Sequence, residues 1–357
     1  MIRVMAMPDW REGNSYQSSL AHALTTEGFE TVYPRGYRRI LPLARMHKQG
    51  AQLLHLHWPE AYFRRGTPFD GLRRLRFTFD LRLATRRRPL VYTAHNFFPH
   101  DSGGDVVLQQ NYRRLLQTAR GIIAHSAAAA AKLREFCPAA TGSLHVIPHG
   151  DSAEGFPPLP TRSEARDILG LPSGQPMVLM FGRVEPYKGL PEIAGAWKTL
   201  TRGTRLWIAG ATTEAKLEDE LRVRAAGNPL VTLDLRRLSD QDLATRLAAA
   251  DVVLFNYRRI FTSGAGCLAR SLGKKIILPQ RLDTVDLMEP APTVFRFTTL
   301  DDLGAVLERA LAAPDDPQGT ATWRATTSWR RIAELTAQVY RQVLEGPRET
   351  AAHSCRV

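Results

Sequence analysis

Short apolar runs alternate with amphipathic helical patterns along the chain, in two series separated by a single Pro- and Gly-rich stretch. The first series places strands at Ile2–Met7, Gln52–His57, Leu90–Ala94, Gly121–Ala124 and Leu144–Ile147, with helices at Ser15–Glu27, Leu72–Ala84 and Asp105–Thr118 between them. The second places strands at Met177–Phe181, Arg205–Ala209, Leu230–Leu233, Val252–Phe255 and Lys275–Leu278. Its helices fall near Leu190–Leu200, Glu214–Ala225, Ser239–Ala249 and Ser263–Leu272. Such alternation demands parallel sheets with helices on both faces. The interruption, "HGDSAEGFPPLPTRSEARDILGLPSGQP", reads as a linker holding one short helix. The spacing therefore predicts an α/β protein of two doubly wound domains, residues 1–150 and 176–322, joined by a linker at 151–175. One long helix follows over 323–345. Open parallel sheets bind ligands at the carboxyl ends of their strands, so two such domains are expected to face one cleft.

Composition narrows what occupies that cleft. The chain has 357 residues, enough for two ordinary cores, and carries a net charge of +13. A surface this basic seeks anions: nucleic acid, anionic lipid or a phosphorylated substrate. No zinc-finger, RNA-recognition or basic-zipper pattern supports nucleic acid. No apolar run is long enough to span a bilayer, and "MIRVMAMPDW" lacks the form of a signal peptide. Three distant cysteines fit a reducing cytosol better than a disulfide framework or a zinc site.

The arginines crowd residues 64 to 88. On a helix there, Leu72, Leu75, Phe79 and Leu83 share one face, which is expected to cover the sheet. Arg73, Arg74, Arg76 and Arg82 lie elsewhere. They form either a solvated helix face or, with Phe77 and Arg86–Arg88, a patch for an anionic membrane.

The stretch "VLMFGRVEPYKGL" carries the sharpest chemical signal. Gly182 lets the chain turn at the end of its strand, and Lys188-Gly189 stands where a helix begins. A helix start attracts phosphate through its free N–H groups and dipole. Arg183 offers a forked donor and Lys188 a point charge, so the pair reads as a diphosphate clamp. The alternative is two solvated surface cations. In "LFNYRRIFTSGAGCLARSLGKKIILP", Ser263-Gly264 opens the next candidate anion site, with Tyr257 and Thr262 beside it, although Ser263 also suits a plain helix cap. Neither stretch is a P-loop or a dinucleotide fingerprint. Asp240-Gln241-Asp242 has the form of a metal-binding D-x-D, but Ser239-x-x-Asp242 reads as a capping box.

Five stretches in this order, "LLHLHWPE", "YTAHNFFPHD", "VIPHG", "FGRVEPYKG" and "YRRIFTSGAGCLARSLGKKIILP", resemble the xanthan-type bacterial GDP-mannose β-mannosyltransferases of exopolysaccharide assembly, over roughly residues 1 to 290. They are glycosyltransferases of GT-B fold, built of two Rossmann-like domains. The resemblance implies transfer of a sugar from a nucleotide-sugar donor to a lipid-linked saccharide, on a protein peripheral to the cytoplasmic side of the inner membrane. The diphosphate clamp makes a metal unnecessary, so no metal or other cofactor is expected. Large retaining GT-B enzymes carry two glutamates eight residues apart, where this chain has Ile260 and Leu268. That departure favours inversion.

Inversion needs a general base for the acceptor hydroxyl and positive charge for the leaving diphosphate. Arg183, Lys188, Ser263 and Gly264 are expected to supply the second. For the base, the first domain offers Asp9, Glu60, His95, His100 and Asp101, of which Asp101 and then Glu60 are best placed after strands. Gly13, Asn14, His57, His95, His149, Tyr257 and Thr262 are expected to contact donor or acceptor, and Arg237 and Leu238 the nucleobase. His55 and His57 share one strand face, where a satisfied buried hydrogen bond is the ordinary fate. Within the class, UDP-glucose or UDP-glucuronate is the alternative donor. Outside it stand a non-catalytic nucleic-acid- or phosphate-binding protein and, less favoured, a nucleotide-sugar epimerase.

Overall fold

A computed structural model describes residues 1–12, 14–33, 41–45, 50–59, 70–96, 106–140, 142–201, 203–281 and 291–346. The chain divides into two compact units. Residues 1–150 and 329–357 form the first, and residues 151–328 the second.

The first unit is built on six parallel strands: β1 (Ile2–Met7), β2 (Phe29–Val32), β3 (Leu53–Leu56), β4 (Leu90–Ala94), β5 (Gly121–Ala124) and β6 (Ser143–Val146), in the order β2-β1-β3-β4-β5-β6. The strands β3, β4 and β5 are buried at every position, as a sheet covered on both faces requires. Its helices are α1 (Ser15–Thr26), α2 (Asp70–Thr85), α3 (Val106–Thr118) and α4 (Ala127–Phe136).

The second unit repeats the plan with β7 (Met177–Phe181), β8 (Arg205–Ala209), β9 (Val231–Asp234), β10 (Val252–Leu254), β11 (Lys275–Pro279) and β12 (Val294–Phe297). The order is β12-β11-β10-β7-β8-β9, again all parallel. Helices α5 (Arg162–Ile168), α6 (Leu190–Leu200), α7 (Ala215–Ala225), α8 (Asp240–Ala249), α9 (Gly264–Ser271), α10 (Leu300–Ala312) and α11 (Pro317–Thr327) belong to it. One core lies on each face of the sheet. Leu179, Phe181, Val253, Phe255 and Leu268 centre one; Val178, Met180, Ile193, Trp197 and Ile208 centre the other. Ile260 and Leu268 are both buried in the first of these.

Two expectations need correction. The single helix over 323–345 is two helices, α11 and α12 (Trp329–Glu345), broken at Ser328. The hydroxyls of Thr326, Thr327 and Ser328 each bond back to a carbonyl three or four residues earlier, the local competition that makes such residues poor helix interior. The second helix then belongs to the first unit. Its Trp329, Ile332, Val339, Tyr340 and Val343 pack with Tyr16, Leu20 and Leu24 of α1.

The other correction concerns α2. Phe77 is 2% exposed, whereas Leu72, Leu75 and Phe79 are 69%, 70% and 60% exposed. The face that reads as sheet-covering is turned outward. Phe77, Leu81 and Ala84 are the buried ones, with Asp80 beside them accepting the N–H groups of Leu43 and Ala44. Two apolar stripes compete on this helix, and periodicity alone does not choose between them. Among the described residues no helix is long and apolar enough to cross a membrane.

A side chain at Gly121 would place Cβ 2.9 Å from Val339 Cγ1 and 3.0 Å from Val343 Cγ2, so α12 approaches β5 more closely than any larger residue allows. Gly121→Ala is expected to overpack this contact and destabilise the first unit by about 1–3 kcal/mol. Urea denaturation of the variant checks this, and an unshifted midpoint would contradict it.

Candidate functional site

In the second unit the candidate site grows from the carboxyl end of β7. Gly182 turns the chain with φ of 90°, in the left-handed region that glycine occupies without strain. The 3-10 turn Pro186–Lys188 follows, and Gly189, with φ of 56°, starts α6. This path folds the Lys188 side chain back beneath the turn. It is 7% exposed, and its Nζ donates to Phe181 O at 3.2 Å.

The position a Cβ on Gly182 would take lies 3.0 Å from that Nζ and 3.9 Å from Ala265 Cβ, in the first turn of α9. A buried ammonium and a helix N-terminus thus meet across one glycine. Burial, the larger effect, pulls the Lys188 pKa from 10.5 to about 8, against the opposing pull of Glu185.

Ser263 caps α9. Its Oγ accepts from Gly266 N–H at 2.9 Å and shares a 2.7 Å bond with Tyr257 OH. Tyr257 is itself buried, stacked on Phe255 and Tyr187. Both side chains are engaged within the protein, and the cap leaves the first-turn N–H groups of Gly264 and Ala265 without intrahelical acceptors. Thr262 Oγ1 is buried with no hydrogen-bond partner, next to that turn. A phosphate oxygen would satisfy such a group, which is costly to leave unpaired.

Arg183 behaves differently from Lys188. Its side chain is 82% exposed and pairs with Glu185 at 3.1 Å. Arg237 is exposed and Leu238 half-buried, beyond the carboxyl end of β9. The D-x-D stretch forms a helix start. Asp242 N–H donates to Ser239 Oγ, and its carboxylate takes bonds from Ser239 Oγ and Arg236.

In the first unit, histidines crown the carboxyl ends of neighbouring strands: His57 after β3, His95 after β4, His125 after β5 and His149 beyond β6. His57 Nδ1 lies 3.1 Å from His95 Nε2, and His95 Nδ1 lies 3.2 Å from His125 Nε2. His125 Nδ1 lies 3.0 Å from Ile147 O. A carbonyl only accepts, so His125 carries its proton on Nδ1. In the neutral state each link then fixes the next. His95 donates from Nδ1, His57 donates from Nδ1, and the outer lone pair of the relay sits on His57 Nε2.

The Tyr16 ring, at the start of α1, packs edge-on against His57, His95 and His125 and tilted against His149. Trp58 stacks on His95 with ring centres 4.1 Å apart. Asn14, expected at the substrate, caps α1 by accepting Tyr16 N–H at 3.1 Å. His55 is fully satisfied, bonded to Tyr340 OH at 2.6 Å and Thr93 Oγ1 at 2.7 Å. Burial drives His55 and His125 down to about 3, and His57 and His95 well below their ordinary 6.5. The rings are therefore neutral near pH 7. Among the described residues no group of three or more His, Cys, Asp or Glu is placed to hold a metal.

Of the candidate bases, Asp9 is held below the usual carboxylate range by its 2.9 Å hydrogen bond from Arg11, which makes it a poor proton acceptor. Gly13, Glu60, His100 and Asp101, and the side chains of Arg73 and Arg74, lie outside the described residues. Sequence reasoning missed His125 and Tyr16. The signal for His125 was its place directly after a strand, the same place that His57 and His95 occupy.

Two outcomes follow from this electrostatics. The histidines have folded pKa values below their unfolded ones, so unfolding takes up protons on the acid side. Stability is complete above about pH 6.5 and falls with acidification, by about 1.4 kcal/mol per pH unit for each histidine involved. A urea midpoint that stays flat between about pH 7 and pH 5 would contradict it. Lys188→Met should weaken nucleoside diphosphate binding by roughly tenfold or more while leaving the melting temperature nearly unchanged, because the lost partner is a charged one. In the native chain the same affinity should decline as pH rises through about 8, where Lys188 loses its proton. Calorimetry across that range checks both.

Comparison with known proteins agrees with this fold. Residues 22–151 match the model of Glycosyltransferase Family 4. The GDP-mannose:glycolipid 4-beta-D-mannosyltransferase of Xanthomonas campestris pv. campestris is 24% identical over 305 residues, spanning 82% of this chain and 80% of that one. Among solved structures, sucrose-phosphate synthase from Thermosynechococcus elongatus superposes with a TM-score of 0.74 at 17% identity, covering 97% of this chain and all of that one. Anabaena Alr3699/HepE in complex with UDP and glucose gives 0.68 at 15% identity, covering 96% and 100%. The paired parallel sheets, the match to the family 4 model over residues 22–151 and these relatives together make the chain a glycosyltransferase of GT-B fold.

Proposed function

We propose that the chain transfers a mannosyl group from GDP-mannose to a lipid-linked saccharide during exopolysaccharide assembly, with inversion, as a peripheral protein at the cytoplasmic face of the inner membrane. The donor and acceptor class rest on the likeness to the Xanthomonas mannosyltransferase. The observation that carries the chemistry is the buried Lys188 ammonium beside the first turn of α9.

In this reading the acceptor hydroxyl oxygen attacks the anomeric carbon from the face opposite the diphosphate. The new carbon–oxygen bond forms as the bond to the phosphate oxygen breaks. The acceptor proton passes to Asp101 or, failing it, Glu60. The negative charge gathering on the diphosphate is met by Lys188, the α9 N–H groups and Thr262 Oγ1, with Arg183 from the solvent side. Charge placed before the reaction stabilises the transition state without reorganisation. The chain's own cations fill the role a divalent ion plays in other transferases, so the reading requires no metal. His57, His95 and His149 contact the sugars, and Arg237 and Leu238 the base. Ile260 and Leu268, which the sequence resemblance sets where retaining enzymes carry glutamates, are buried and offer no carboxylate, which supports inversion.

Calorimetry with GDP, UDP and a duplex DNA control tests the donor reading. GDP binding without DNA binding supports it; UDP binding alone would move the donor to a UDP-sugar, and duplex binding alone would reverse the enzyme assignment. Asp101→Asn is expected to keep GDP affinity and lose transfer by on the order of a hundredfold or more, the usual worth of a general base. Full activity in that variant would pass the role to Glu60.

A further inference from the structure

Helix α2 has an outward apolar face that no described residue of its own unit covers. At about 100° per residue, Leu72, Leu75, Phe79 and Leu83 fall within an arc of about 80°. All four are exposed, Leu75 at 70%. Monomeric proteins rarely leave a contiguous stripe of large apolar side chains in water. Arg76 lies along one border of the stripe and Arg82 along the other, and Arg86 and Arg87 continue it past the helix end, both exposed. No carboxylate lies on this face among the described side chains. Asp80 is turned inward, where it takes the N–H groups of Leu43 and Ala44, with the charge of half-buried Arg76 one turn away. The opposite face, through Phe77, Leu81 and Ala84, anchors the helix to its unit.

We infer that α2 is the element that seats this protein on an anionic lipid bilayer, lying in the plane of the interface. Leu72, Leu75, Phe79 and Leu83 enter the boundary between headgroups and acyl chains, and Arg76, Arg82, Arg86 and Arg87 meet lipid phosphates. An apolar stripe bordered by arginines is the form of an interfacial helix, and such binding needs both signals together. A second copy on the same stripe would bring another set of arginines and no acid to meet them. Nucleic acid would leave the leucines and the phenylalanine in water. The inference deepens the membrane part of the proposed function by naming the docking surface, and it does not depend on the donor.

The test is flotation of the full chain with vesicles of phosphatidylcholine alone and of phosphatidylcholine mixed with phosphatidylglycerol, in the absence of nucleotide. Binding to the mixed vesicles is expected, weakened by salt, with little binding to the neutral ones. Leu75→Ser/Phe79→Ser should reduce it by roughly tenfold or more, since two inserted side chains are lost. Arg76→Ala/Arg82→Ala should reduce it by roughly tenfold and flatten the salt dependence. Ile168→Ser removes an equally exposed residue from the second unit and should change nothing. Retained GDP affinity and an unchanged circular dichroism spectrum show that the variants fold.

Equal binding to both vesicle types, undiminished binding by Leu75→Ser/Phe79→Ser, or an equal loss with Ile168→Ser would overturn the inference. So would a wild-type dimer in solution that the same double variant turns into monomer. Vesicle binding without GDP binding would refute the donor reading and leave this one standing.

Discussion

The candidate site of the second unit turns on an ammonium kept out of water without being neutralised. Lys188 is almost wholly buried, yet the single hydrogen bond described for it reaches only a carbonyl, Phe181 O. A cation in that position is under-compensated, and its lowered pKa expresses the strain. The rest of the local structure serves that situation. Gly182 clears room above the amine, Gly189 lets the chain start α6, and Asn256 Nδ2 clamps Gly189 O at 2.9 Å. An incoming anion gains more from such a charge than from a solvated surface lysine, because water has already been removed.

The first unit solves the opposite problem. It gathers four buried histidines, with His149 half-buried beside them, and keeps the four uncharged. Order comes from one acceptor-only group, Ile147 O, which fixes the proton on His125 and through it the donor direction of two more rings. Tyr16 and Trp58 wall the group with aromatic faces. A polar network of this kind is stable only when every link is made, and this one is made chiefly by rings binding rings. The result is a buried layer at the strand ends with a defined pattern of donors and lone pairs.

Much of this was legible in the chain. The two strand–helix series, the turn at Gly182 and the helix start at Ser263 all follow from local patterning, and each lies where its residues place it. The edge strands Phe29–Val32 and Val294–Phe297 escaped notice because each is short, interrupted by polar residues and mostly half-exposed, so neither forms an apolar run. Outward Leu72 and inward Phe77 were reversed because both stripes of α2 are apolar, and only packing against the unit decides which is hidden. The histidine relay stayed invisible for a different reason. Its members are 30 or more residues apart in sequence, and strand register alone brings them into one layer.

The path of the chain after Ser328 has a consequence for synthesis. Trp329, Ile332, Tyr340 and Val343 complete a core whose other half, Tyr16, Leu20 and Leu24, leaves the ribosome some three hundred residues earlier. The unit begun first is therefore finished last, after residues 151–328 have all emerged and can fold as a continuous segment. A nascent chain stalled before that closing helix would show chaperones an open apolar seam on its amino-terminal half.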